Sequence, residues 1–219
     1  MRMFEITQPE QVMLRALATD IRGTQSYTQI KQLVMKHFPM ITVDIHKSIK
    51  VDQGSMNIGA HYDPDKDEEG HLPIHIDLFF SNEDTNQLTW TRQGRKFFLY
   101  NLQDVMKHEL LHMKQHRQRD FHPGKNGYDN RSMEYEYMSR PDEIEAYAMN
   151  IADELTRHVG NEGAFELLRM AKKTAQFKNK VGHFLSPDLL AYFALFNWDT
   201  NHPVIKRLIK KIYQHIQEQ

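Results

Sequence analysis

The sequence predicts an α+β fold: a small, mainly antiparallel sheet beside one apolar-faced helix, with a helical C-terminal half. Three observations predict it. Three runs between positions 41 and 80 alternate apolar and polar residues, the period of a half-buried strand. Residues 102–117 contain neither Gly nor Pro and place Leu102, Val105, Met106, Leu110 and Met113 on one broad face, which requires a helix. From position 141 onward apolar residues recur at helical spacing, in Ile144, Ala148, Ile151, Ala152 and Leu155 and again in Val204, Ile205, Leu208, Ile209, Ile212 and Ile216.

In chain order, Thr7-Gln8-Pro9-Glu10 has capping-box spacing and predicts a helix to Ile21, stopped at Gly23. Ser26 and Gln29 repeat the signal, and Ile30, Leu33, Val34 and Phe38 form the stripe of a second helix that ends before Pro39. Strands follow at Ile41-Thr42-Val43-Asp44-Ile45, at Met56, Ile58, Ala60 and Tyr62, and at Ile74, Ile76, Leu78 and Phe80, the last two forming a hairpin. The acidic turn beginning Asp63-Pro64-Asp65 is not a calcium loop, because the positions that an EF-hand reserves for Gly and Glu hold Glu68 and Ile74. It reads as a solvated turn. Asn101 with Asp104 marks the start of the long helix, and Ser139 with Asp142, with Pro141 in the first turn, the start of the next. Residues 120–138 between them read as a loop whose His122, Tyr128, Tyr135 and Tyr137 are candidate donors. The chain is read as one domain over 1–219, with a helical cover (1–40), a sheet and site helices (41–158) and a helical end (159–219).

Composition narrows the function classes. Of 219 residues, 40% are hydrophobic and 26% charged, which is ordinary globular material. A net charge of −1 supplies no global drive toward nucleic acid or membrane. There is no Cys, so neither a disulfide nor a thiolate metal site exists, and the N-terminus shows no secretory signal; both suit the cytoplasm. The basic residues Lys206, Arg207, Lys210 and Lys211 read as the solvated face of a docked terminal helix rather than an anionic-surface anchor. Lys172, Lys173, Lys178 and Lys180 form a second basic patch.

The chemistry concentrates in His108-Glu109-Leu110-Leu111-His112. Residues four apart stand on one helix face, so His108 and His112 can address one metal ion, and Glu109 falls beside it, where a general base must stand. His116 continues the spacing but lies about 12 Å along the axis from His108, too far for the same ion. A catalytic zinc usually takes three protein ligands, so the third must come from another element. Glu143, 31 positions after His112 (143 − 112) and in the first turn of the next helix, is the best candidate, and Glu145 is the runner-up. His61, His71 and His75 could form a second metal site but read better as scattered surface histidines.

An H-E-x-x-H helix followed by Glu143-Ile144-Glu145-Ala146 resembles the gluzincin metallopeptidases, within them a small intracellular branch, and the general texture of the chain is similar to that of phage-encoded peptidases. The resemblance implies a zincin-like fold, Zn2+ held by His108, His112 and Glu143, Glu109 as general base, and peptide or protein substrates. It also implies that an extended peptide lies against an edge strand, here residues 74–80. The position after the Ala, Asp or Asn in the family, holds Tyr147 here, so a usual supporting group is replaced. Tyr137, Tyr147 and His183 are the candidates for stabilising the oxyanion. Two rival readings remain: a non-catalytic binding or structural protein on the same fold, and a protease tethered to nucleic acid through its basic C-terminal half.

Overall fold

The computed structural model describes residues 8–170 and 186–219, with side chains from residue 12 onward. The chain divides into two compact units, meeting in sequence between Phe121 and His122.

The N-terminal unit is α+β. Helix α1 (Gln8–Asp20) precedes a short strand β1 (Thr24–Ser26) and α2 (Tyr27–His37). The Thr7 capping signal falls outside the described residues. At α2 the Ser26 hydroxyl accepts from Gln29 N at 3.2 Å and Gln29 Oε1 accepts from Ser26 N at 2.8 Å, so the capping box forms as its spacing requires. Strands β2 (Ile41–Ser48), β3 (Met56–Tyr62) and β4 (Ile74–Ser81) form a sheet in the order β2-β4-β3, and β5 (Gln87–Thr89) pairs with β1. The β3–β4 hairpin is antiparallel, as the short connection implies. The β2–β4 pair is parallel, so the main sheet is mixed, not mainly antiparallel. Alternation fixes which face a strand buries but carries nothing about partner or direction. Ile74, Ile76, Leu78 and Phe80 of β4 join Ile41 and Val43 of β2 in the core, while His75, Asp77 and Phe79 face the other way.

Because β4 is the central strand, both of its backbone edges are occupied along 74–80. It cannot take an extended peptide, which corrects the expectation placed on that strand. The edges of the main sheet belong to β2 and β3.

The acidic turn contains a one-turn helix, α3 (Pro64–Glu68), capped by Asp63. Asp67 is not solvated, as expected, but buried: Arg117 Nη2 meets its Oδ1 at 2.5 Å and Tyr62 Oη donates to its Oδ2 at 2.9 Å. The arginine holds the Asp67 carboxyl below its ordinary range, against the upward push of burial and with help from the tyrosine.

Helix α4 runs over Arg92–Gln118, ten residues longer at its start than the sequence reading. Thr91 is its cap, its hydroxyl accepting from Gly94 N at 2.9 Å. Asn101, read as the start, instead donates its side-chain amide to Phe97 O at 2.9 Å in mid-helix. The extra turns bury Phe98 in the same core as Leu102 and Met106.

The C-terminal unit is helical among its described residues. The segment read as a loop ends in α5 (Met133–Met138), so Tyr135 and Tyr137 are helical. Helix α6 (Pro141–Arg169) follows, with α7 (Pro187–Leu195) and α8 (Pro203–Glu218). Pro141 opens α6 as expected, but the cap is Arg140, not Ser139. Ser139 instead closes α5, its hydroxyl donating to Glu136 O at 3.2 Å and accepting from Asp129 N at 2.8 Å. Gly160 breaks α6 with φ 71° and ψ 171°, a conformation that suits glycine. Ile144, Ala148, Ile151, Ala152 and Leu155 of α6 pack with Leu208, Ile212 and Ile216 of α8 around Tyr192 and Phe193. The C-terminal stripe is thus buried as its periodicity requires. The patch at Lys172, Lys173, Lys178 and Lys180 lies outside the described residues, as does His183. No helix among the described residues is long and apolar enough to cross a membrane.

Candidate functional site

Helix α4 presents two imidazoles on one side. His108 is buried and His112 half-buried, their ring centres 4.7 Å apart and the rings tilted by 70°. The i, i+4 spacing brings them together, and the tilt lets two ring nitrogens converge rather than stack. Glu109 is 8% exposed and so is held away from bulk water beside His108. Leu111 is buried on the other side of the pair.

One residue that sequence reasoning missed stands next to them. His112 Nδ1 lies 3.0 Å from Gln115 Oε1. With the amide oxygen as acceptor, Nδ1 carries the proton and Nε2 the lone pair. Metal-binding histidines commonly donate their second ring N–H to a carbonyl in this way, which fixes tautomer and orientation. The signal was present in sequence as a carboxamide three residues beyond His112 on the same face. Asp104, read as part of a helix start, is instead buried mid-helix, one turn before His108 on its face.

His116 belongs elsewhere: its ring meets Tyr62 edge-on at 5.4 Å. Of the hairpin histidines, His61 and His75 stack at 4.8 Å with nearly parallel rings, and His71 stands apart beside Glu69. His75 Nδ1 lies 2.5 Å from Thr42 Oγ1 and its Nε2 2.9 Å from Lys66 Nζ. Burial and the lysine's charge push the His75 pKa down, so His75 is a neutral ring serving the sheet. Among the described residues, these three histidines do not form a metal-holding group.

In the C-terminal unit, Glu143 is 7% exposed in the first turn of α6. Glu145 is turned to α8, where Lys211 Nζ lies 2.6 Å and His215 Nε2 3.0 Å from its carboxylate. Burial pushes the Glu145 carboxyl up, but hydrogen bonds from His215 and Lys211 outweigh it and leave the group below its ordinary range. Glu145 is therefore a helix-pairing carboxylate. Tyr147 packs edge-on against Tyr192 at 5.4 Å, and Tyr137 is 39% exposed with the Arg140 guanidinium over its ring.

Within the N-terminal unit, His108 and His112 are two ring-nitrogen donors of the kind that borderline divalent ions take. Compared with known protein families, curated proteins and solved structures, the chain matches none.

Proposed function

We propose that this protein is a zinc-dependent peptide-bond hydrolase in which His108, His112 and Glu143 hold the ion and Glu109 is the general base. The observation that carries the reading lies within one unit: two tilted imidazoles 4.7 Å apart on α4, with a buried glutamate next in sequence to the first. Glu143 is offered as third ligand because its neighbour Glu145 is engaged by Lys211 and His215, and because His108, His112 and Glu143 can each give one ligand atom to a metal ion.

When bound, the ion supplies a Lewis acid that acidifies water and polarises a carbonyl. Glu109 takes the proton released as water attacks the substrate and passes it to the leaving amine. Its burial keeps competing water away from that carboxylate. Gln115 holds the His112 ring in its productive tautomer. Among the described residues β2 and β3 each pair with β4 alone, and β3, the edge strand that packs on α4, is the one to which an extended substrate can add. A cavity of about 260 Å³ between β3 and α4, lined by Met56, Ile58, Phe97 and Phe98, offers room for a substrate side chain. The lack of Cys fits a cytoplasmic setting within the same reading.

The test pairs metal content with cleavage. The purified protein should carry about one zinc per chain and cleave members of a peptide library. Glu109→Gln should keep the zinc and lose turnover, because an amide is no base at neutral pH. Zinc without cleavage of any peptide by the wild type would favour the non-catalytic reading, and near-normal turnover by Glu109→Gln would remove the glutamate from its role.

A further inference from the structure

Helix α8 carries Lys206, Arg207, Lys210 and Lys211 within six positions. Like charges three and four apart work against a helix, and the first two stand near its N-terminal end, where the macrodipole disfavours cations. Only Lys211 is compensated: Glu145 takes it. Among the described residues, no carboxylate lies within ion-pair distance of Lys206, Arg207 or Lys210. Docking of the helix does not require this charge, because its apolar stripe does that.

Three of these cations, Arg207, Lys210 and the Glu145-paired Lys211, line an open cavity of about 440 Å³, with Tyr128, Pro141, Ile144 and Gln214. One of its walls is built with care. Gly127 passes so close to α5 that a Cβ there would stand 2.0 Å from Glu136 O. Tyr128 N donates to Ser139 O at 3.3 Å and Asp129 N to Ser139 Oγ at 2.8 Å, which pins the segment. Tyr128 in turn fixes Arg207: the guanidinium lies over its ring at 3.9 Å, and Nη1 donates to the phenol oxygen at 2.6 Å. The arginine is thus held in place before any ligand arrives, with further N–H donors of its fork to spare. Lys210 stands one turn along beside it.

We propose that this cavity is a binding site for a phosphate dianion or phosphate monoester, held by Arg207 and Lys210. A fixed guanidinium fork next to a mobile ammonium matches the doubly charged tetrahedral group better than a single carboxylate. The volume accommodates a small organic group beyond the phosphate, with Pro141, Ile144 and the Tyr128 ring as its apolar walls. Four cations on one short stretch of a chain with net charge −1 are too few and too local for a nucleic-acid track. The site is independent of the proposed hydrolase chemistry.

Calorimetric titration of the full chain with inorganic phosphate, O-phosphoserine and uridine 5′-monophosphate tests it, and the ranking of the three distinguishes free phosphate from a phosphorylated side chain or a nucleotide. At least one should bind saturably with a Kd below about 1 mM. Arg207→Gln and Lys210→Gln should each weaken it by roughly tenfold or more, whereas Lys206→Gln, outside the cavity, should change it by less than about twofold. No saturable binding at about 10 mM of any probe overturns the proposal. So do equal losses in all three variants, which would mean diffuse attraction, and binding of a single-stranded oligonucleotide in the absence of binding by the three small probes.

Discussion

The two glutamates at the start of α6 offer a test in which one substitution should cost metal affinity and the other stability. Glu145 is held between Lys211 and His215, and His215 is itself almost fully buried. Glu145→Ala leaves that imidazole in a dry site with only the more distant Glu218 carboxylate, 4.0 Å from its Nδ1. Stranding a buried polar group costs about 1–3 kcal/mol. The Lys211 contact adds little, because that side chain is 41% exposed and screened. At roughly 2–4 °C per kcal/mol for a chain of this size, the apo protein should melt about 2–12 °C lower. Its zinc affinity should stay within about threefold of wild type. Glu143→Ala should do the opposite. Loss of a ligand should weaken zinc at least 100-fold, or about 2.7 kcal/mol. Thermal melting of the apo proteins and chelator competition in one buffer measure both quantities. Reversal of the affinity ranking would move the ligand to Glu145, and equal, negligible losses of affinity would take α6 out of the site.

Two other consequences follow from contacts in the N-terminal unit. Gln115→Ala should lower zinc affinity by about 10–100-fold without changing stoichiometry, seen in the same competition; an unchanged affinity would mean that the amide does not set the His112 tautomer. Asp67 has a folded pKa below its unfolded value, so the stability it confers is present above about pH 4 and is lost as pH falls through the folded pKa. Asp67→Asn should therefore cost about 1–2 kcal/mol at pH 7, discounted for the half-exposed Arg117, and the gap to wild type should narrow by pH 3 in urea denaturation. A gap of constant size across that range would remove the carboxylate's charge from the explanation.

What the sequence made legible were features whose cause is local. Ser26 and Gln29 satisfy each other across one turn, Pro141 suits only a helix's first turn, and the α8 stripe is a periodicity. The paired histidines are local in the same sense, since four residues of helix are enough to bring them together. What stayed hidden depends on partners far along the chain. Nothing in residues 74–81 says that β2 will pair with them in parallel, and so nothing barred them from the sheet edge. Glu145 stood as runner-up to Glu143, and nothing local says that Lys211 and His215, some 70 positions on (215 − 145 = 70), occupy it. The early start of α4 was masked by Gly94, a poor helix former that Thr91 caps at low cost because it lies in the first turn. Ser139 carries a helix-start signature but spends its hydroxyl on Asp129 and Glu136, a closing role with the same residue type.

The length of α4 ties two properties of the N-terminal unit together. Its first half supplies Phe98 and Leu102 to the core, and its second half adds Met106 and carries His108 and His112 on the same unbroken rod. Amide protons at the two histidines should then exchange with solvent only through openings that dissolve the core, at rates set by the unit's global unfolding equilibrium. By linkage, an ion bound there should slow exchange at Phe98, three turns away, as much as at His112. A cavity cut at Phe98 should therefore register in a metal titration once it populates the unfolded unit, before any ligand has been touched.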